Sequence, residues 1–275
     1  MTDSKNINLD YDRPIQIAEG VYWVGFYDRE AKLHCNPYLI IEGDEAVLID
    51  SGSRPDFSTV MMKVLQTGVD PHQIKALIYH HPDPDLCGNI PNFEDLIDRD
   101  DLILISDKQN IPFIRHYNVA SSMISLEESG HSFEFSSGRK LEFYNTPYAH
   151  SSGAFITFDT KTKTLFTSDI LGSFAKEWEL YLSLDESCAE CNEYKNCVNN
   201  REYCPLPDIL SFHEYVMTSS AALRNAIDII RKTEFEILAP QHGSVVNTAF
   251  ESSVLLDKLR ALDSVGIDRI LQRCE

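Results

Sequence analysis

In the stretch Tyr79-His80-His81-Pro82-Asp83-Pro84-Asp85-Leu86-Cys87-Gly88, an imidazole and two carboxylates stand at alternate positions. The apolar run Ala76-Leu77-Ile78 just before it reads as a short buried strand. Alternate residues of an extended segment share a face, so His81, Asp83 and Asp85 can converge. Imidazole with carboxylates is a ligand set for a borderline transition metal such as iron, manganese or zinc. An acidic surface turn would carry some of the same letters, so the weight falls on three further segments. His150 lies in Thr146-Pro147-Tyr148-Ala149-His150 after the strand-like Leu141–Tyr144, Asp169 ends Leu165-Phe166-Thr167-Ser168-Asp169, and His242 ends Ile237-Leu238-Ala239-Pro240-Gln241-His242. Each is a β segment that terminates in a metal-type side chain, and together they point to one shared site.

The order H-x-D-x-D, then His, then Asp, then Pro240-x-His242-Gly243 resembles the metallo-β-lactamase superfamily. Asp83 stands where its hydrolases usually carry His, which resembles the flavodiiron branch and the related oxygen-binding di-iron proteins. Upstream, Ala46-Val47-Leu48-Ile49-Asp50-Ser51-Gly52 is similar to the superfamily's strand-Asp-x-Gly turn, whose Asp supports the site. The resemblance implies an α/β fold, the αββα sandwich of two mixed sheets flanked by helices, with the metals at the sheet edge. It implies a first metal on His81, Asp83 and His150, a second on Asp85 and His242, and Asp169 bridging them. Leu86 departs from the pattern: most of the superfamily has a ligating His there, so the second metal is expected to have an open or water-filled position, with a single-metal site as the alternative. Around the metals, His34, Asn36, Tyr148 and Tyr181 are candidates to orient ligands or the bound molecule, with His34 in a segment that resembles the family's substrate-pocket loop. His80, on the opposite strand face from His81, is not expected to ligate, and His72, His116, His131 and His213 suggest no chemistry.

Two adjacent metals with an open position bind small ligands. As iron they take O2 or NO; as zinc they hold a nucleophilic hydroxide for hydrolysis. Three Asp and three His are carboxylate-rich beside the His-rich hydrolase set, which favours a di-iron centre, with a zinc-dependent hydrolase as the alternative. The flavodiiron reductases carry a flavodoxin-like domain after this fold. The chain stops at Glu275, so no flavin domain is expected, nor does a G-x-G-x-x-G loop replace it. That leaves a gas or redox sensor, or an O2/NO reductase served by a separate electron donor, with a signalling partner and a homodimer as open associations.

Composition suits this reading. With 275 residues and 43% apolar content, the chain can bury the core of one domain, taken as residues 1–275. Its net charge of −19 disfavours nucleic acid and anionic membrane as partners. The start Met1-Thr2-Asp3-Ser4-Lys5 lacks a hydrophobic signal core, and a cytoplasmic location is expected. Strands are expected over Val21–Phe26, Tyr38–Ile41, Leu141–Tyr144 and Ala154–Phe158, with a hairpin turn at Asp159–Lys163. Helical spacing is read over Phe57–Thr67, Asn89–Leu96, Ser219–Arg231 and Ser252–Ile270.

Cys35, Cys87 and Cys274 are scattered and read as reduced thiols. The other four form Cys188-x2-Cys191-x5-Cys197-x6-Cys204-Pro205 in a polar insertion, residues 185–206. Too few apolar side chains stand there to order the segment by burial, so a metal centre on four thiolates is expected to hold it. The irregular gaps and the following Pro suit a [4Fe-4S] cluster; structural zinc, and disulfides or free thiols, are the alternatives.

Overall fold

In the computed structural model, residues 9–28, 32–174, 177–191 and 203–271 are described. The strands are β1 (Ile15–Ala18), β2 (Val21–Trp23), β3 (Phe26–Asp28), β4 (Leu33–Cys35), β5 (Tyr38–Glu42), β6 (Glu45–Ile49), β7 (Ile74–Ile78), β8 (Ile103–Ser106), β9 (Ser122–Ser125), β10 (Ser132–Glu134), β11 (Lys140–Asn145), β12 (Phe155–Asp159), β13 (Thr164–Phe166) and β14 (Ile237–Ala239). One sheet has the order β1-β2-β5-β6-β7-β8-β9, a second the order β10-β11-β12-β13-β14, and β3-β4 form a separate hairpin. Both large sheets are mixed. β6 through β9 pair in parallel, whereas β1, β2 and β5 are antiparallel to their neighbours. In the second sheet only β13 and β14 are parallel.

The runs Ala46–Ile49 and Ala76–Ile78 are apolar without alternation because their strands are covered on both faces. Between the sheets lie Trp23, Ile49, Ile78, Phe143, Phe155 and Phe166. On the outer face of the first sheet, Leu48, Leu77 and Leu104 pack with Val60, Val64 and Phe93. The latter come from helices α1 (Phe57–Gln66) and α3 (Ile90–Ile97), with the short α2 (Pro84–Cys87) between them. Two short helices, α4 (Ile111–Ile114) and α5 (Ser187–Glu190), lie further along the chain. Outside the second sheet, Ile156, Leu165 and Leu238 meet apolar residues of α6 (Leu206–Val216), α7 (Ser220–Ile230) and α8 (Ala249–Arg260). Helix, sheet, sheet and helix thus stack as the expected αββα sandwich. Among the described residues, no helix is long and apolar enough to cross a membrane.

Two expected elements are broken, each at a glycine. The strand over Val21–Phe26 ends at Trp23 and restarts at Phe26, because Gly25 lies too close to β4 for any side chain: a Cβ there would stand 2.4 Å from the Cys35 carbonyl oxygen. The helix over Ser252–Ile270 is α8 followed by a separate α9 (Ile267–Leu271). Gly266 between them has φ +53°, and a Cβ would meet the carbonyl oxygens of Met217 and Thr218 at 2.2 and 2.3 Å. Helical spacing can continue across such a turn, so the letters did not expose it. The α6 helix was not foreseen at all, since it follows directly on the polar cysteine-rich segment.

One buried ion pair stitches the sheets. Arg139 grips Asp159 with two hydrogen bonds, Nε–Oδ1 at 3.0 Å and Nη2–Oδ2 at 2.5 Å, and reaches across to Glu42 of β5 at 3.1 Å. Removing one partner of such a pair leaves the other charge buried without compensation. Arg139→Met should therefore lower stability by about 3–5 kcal/mol in denaturant unfolding, with much of the loss recovered in Arg139→Met/Asp159→Leu. A loss below about 1 kcal/mol would show that the pair behaves as a surface one.

Candidate metal centre

The β6–β9 strands run in one direction, and so do β11, β13 and β14, since β12 is antiparallel to β11 and β13. Their C-terminal ends carry Asp50, His81, His150, Asp169 and His242, and the turn after β7 leads through Asp83 into α2 with Asp85. The six expected donors meet there. His150 Nε2 stands 3.2 Å from Asp169 and 3.3 Å from Asp83. His81 Nε2 is 3.7 Å from both Asp83 and Asp169. His242 Nε2 is 3.1 Å from Asp85 and 3.6 Å from Asp169. Among the described residues, Asp169 is thus the one that faces all three imidazoles.

Supports behind the donors set their aim. Asp50, with φ +53°, accepts from the His80 backbone N–H and lies 2.9 Å from His80 Nδ1, while His80 Nε2 is 2.9 Å from the Thr157 hydroxyl. His80 therefore ties the two sheets together, as a non-ligand, and its neighbour His81 turns the other way into the site. Nδ1 of His81 is 3.2 Å from the Ser168 hydroxyl, and Nδ1 of His242 is 2.8 Å from the His34 carbonyl. For His242 the carbonyl requires the proton on Nδ1, which leaves Nε2 as the free donor; such a second partner fixes ring orientation at metal sites. Asn36 holds the same loop, donating to the carbonyls of Pro240 at 2.9 Å and Gly243 at 2.8 Å.

The other candidates stand further back. The ring of His34 is stacked between Tyr27 and Trp178, at 4.4 and 4.3 Å between centroids, and it is the His34 backbone that serves the site. Tyr148 is 56% exposed, with its carbonyl bound by the Thr218 hydroxyl, so its ring lies outside the buried cluster. Tyr181 lines a cavity of about 570 Å³ with Trp178 and Tyr203, and none of the six donors lines that cavity. Leu86 is fully buried in the apolar layer beside α1 and α3, and its carbonyl accepts from Ser51.

Three supports carried no signal in the letters. His213 of α6 has Nδ1 2.7 Å from the Ile209 carbonyl and takes the Leu171 N–H on Nε2 at 2.9 Å, which pins the turn after Asp169. Burial pushes its pKa down to about 4, so it stays neutral and able to accept. Asn110 bonds the carbonyls of both His80 and Gly153, joining the His81 turn to the His150 loop. Cys35 sits with Asp85 and His242, the donor atoms of all three within 4.8 Å of one another. Histidine in an amphipathic helix and a lone cysteine look alike whether or not they touch a site.

The geometry fits a metal. His81 Nε2 and Asp169 Oδ1 are buried without a hydrogen-bond partner, a costly state for either group unless a cation sits between them. Their 3.7 Å separation is too long for a hydrogen bond. It suits two donors on one ion, each about 2.1 Å from it. Asp83 and Asp85 keep the cluster open to solvent on one side, with side-chain exposures of 42% and 28%. The cysteines of the insertion do not join a comparable cluster among the described residues; Cys188 is buried, Cys191 and Cys204 are half-buried, and Cys197 and Cys274 lie outside the described residues.

In the metal-free protein, protons take the cation's place. Burial acts to lower His150, but Asp169 and Asp83 outweigh it and lift its pKa to about 10. Burial likewise opposes charge on His242, which Asp169 and Asp85 nevertheless hold well above the ordinary range. Burial acts to raise Asp169, and His81, His242 and His150 overcome it and keep the carboxyl far below the usual range. Because bound metal needs neutral imidazole, uptake must expel these protons. Metal affinity should therefore rise with pH between about 6 and 8, roughly tenfold per unit for each proton released. Calorimetric titration in buffers of different ionisation heat reads the proton count directly; an uptake that releases none would contradict the electrostatics described.

Known proteins share this family and fold. The model of the family described as "ODP family beta lactamase" matches residues 33–243. The Synechocystis protein "Diflavin flavoprotein A 1" is 30% identical over 137 residues, which is 50% of this chain and 23% of that protein, so the chain spans about a quarter of that relative's length. A structure described as "Peroxy diiron species of chemotaxis sensor ODP" superposes with a TM-score of 0.73 at 20% identity, covering 94% of this chain and 99% of that one. Rubredoxin oxygen:oxidoreductase from Desulfovibrio gigas gives a TM-score of 0.72 at 16% identity, covering 90% of this chain and 61% of that one.

Proposed function

The chain belongs to the ODP family of beta-lactamase-fold proteins, and from that premise we propose that it is a non-haem di-iron protein that binds O2 or NO. The observation that carries this reading is the Asp169 carboxylate, buried, lacking a hydrogen-bond partner at Oδ1 and facing imidazoles on both sides. In it, His81, Asp83 and His150 hold one iron, Asp85 and His242 the other, and Asp169 bridges them. Three carboxylates among six donors favour iron over a softer or more imidazole-dependent ion. Ferrous iron, held there, would supply the electrons for capture of a diatomic gas. The chain's own residues hold the donors in place, keep His242 in the tautomer that frees Nε2 and leave the face beside Asp83 and Asp85 open for entry.

Within this reading, sensing is favoured over reduction. Its support is the family match, described as "ODP family beta lactamase", together with the likeness to a structure described as a chemotaxis sensor ODP. Reduction would call on a separate electron donor. For the insertion, an iron–sulfur cluster or a zinc ion remains the proposed occupant, on the strength of the spacing Cys188-x2-Cys191-x5-Cys197-x6-Cys204.

The test is anaerobic loading with ferrous iron followed by addition of measured O2 or NO, watched by optical absorption and a gas electrode. Uptake of one gas molecule per iron pair, then no further consumption, is the expected result. Sustained O2 consumption with a chemical reductant would move the reading to a reductase. Failure of iron to bind, with zinc retained and an ester or lactam hydrolysed, would replace it with the hydrolase.

A further inference from the structure

Cys35 is a sulfur donor that the motif-based ligand set does not use. It ends β4, is 1% exposed, and sets its Sγ 3.9 Å from Nδ1 of His242. That contact is a weak one, because Nδ1 is committed to the His34 carbonyl at 2.8 Å. The relation that matters is threefold: Sγ, a carboxylate oxygen of Asp85 and a ring nitrogen of His242 all lie within 4.8 Å of one another. A second observation bears on the same place, through an atom that also faces His81. Asp169, 3% exposed, directs the partnerless Oδ1 toward the same His242 ring, 3.6 Å from Nε2. Leu86 meanwhile spends its side chain in the apolar layer and leaves that position short of a donor.

We propose that Cys35 donates its sulfur to the metal held by Asp85 and His242. The inference rests on the two-metal reading above and deepens it. On binding, the thiol proton passes to solvent and the thiolate becomes the metal's ligand, as metal ligation by cysteine requires. The two positions then differ in kind. The one on His81, Asp83 and His150 is built of oxygen and nitrogen alone, whereas the other gains a soft donor that suits ferrous, cobaltous or zinc ions. The sulfur takes the place in the donor count that Leu86 leaves open.

Cobalt(II) is the probe, titrated anaerobically into metal-free full-length chain, with Cys35→Ser and Cys35→Ala alongside. Thiolate bound to cobalt gives an intense near-ultraviolet charge-transfer band that oxygen and nitrogen donors do not. Wild type should develop the band as cobalt enters the site, and both variants should lose the share due to one thiolate while still binding cobalt at the first position. A band of equal strength in wild type and both variants would assign all the sulfur ligation to the insertion's cysteines and overturn the inference. So would two cobalt ions at the site of the wild type with no band at all, a result that needs no variant to fold. A wild-type site that takes only one cobalt would instead overturn the two-metal reading, and this inference with it.

Discussion

The buried charge of Asp169 is the constraint on which the rest of this structure turns. A carboxylate with 3% exposure is tolerable only when opposite charge lies close on several sides. Here three imidazoles provide it, and they come from strands of both sheets: His81 after β7, His150 after β11 and His242 after β14. The sandwich is thereby tied at its edge by the same group that two cations would share. Protons on His150 and His242 offset that charge, and a bound metal would have to displace them.

Holding so many donors on one carboxylate demands unusual backbone. Asp50, Tyr148, Ser168 and Leu171 all carry positive φ without being glycine, and each lies in a turn next to a donor or its support. Such conformations cost about 1–3 kcal/mol each and persist where surrounding bonds enforce them. Those bonds are visible: Asp50 grips His80, and His213 takes the Leu171 N–H. Neutral His213 is suited to this because its burial suppresses protonation, which would turn its accepting nitrogen into a donor facing an N–H.

That the six side chains would meet was legible in the letters because each follows a short apolar run, and runs buried on both faces are hard to mistake. The strands were legible from the same runs, whereas the layer order came from the family resemblance. Of the supports, Asp50 was foreseen through the family resemblance and most others were not. Asn36 stood out only through the family resemblance, and Asn110, His213 and Cys35 act through contacts made by residues far apart in the chain. His34 shows the converse: its position was foreseen, yet its carbonyl and not its ring reaches His242, a distinction that side-chain identity does not encode. The glycines that break β2 from β3 and α8 from α9 are explained by close backbone approach, which becomes apparent only once the neighbouring strand or loop is in place.

The central claim, that Asp169 bridges two irons, is tested most directly by counting iron and acid-labile sulfide in anaerobically purified wild type and Asp169→Asn. The account predicts two irons per chain in the wild type beyond any matched by sulfide, and loss of both in a variant that retains its circular dichroism. Two sulfide-independent irons surviving in the folded variant would contradict it.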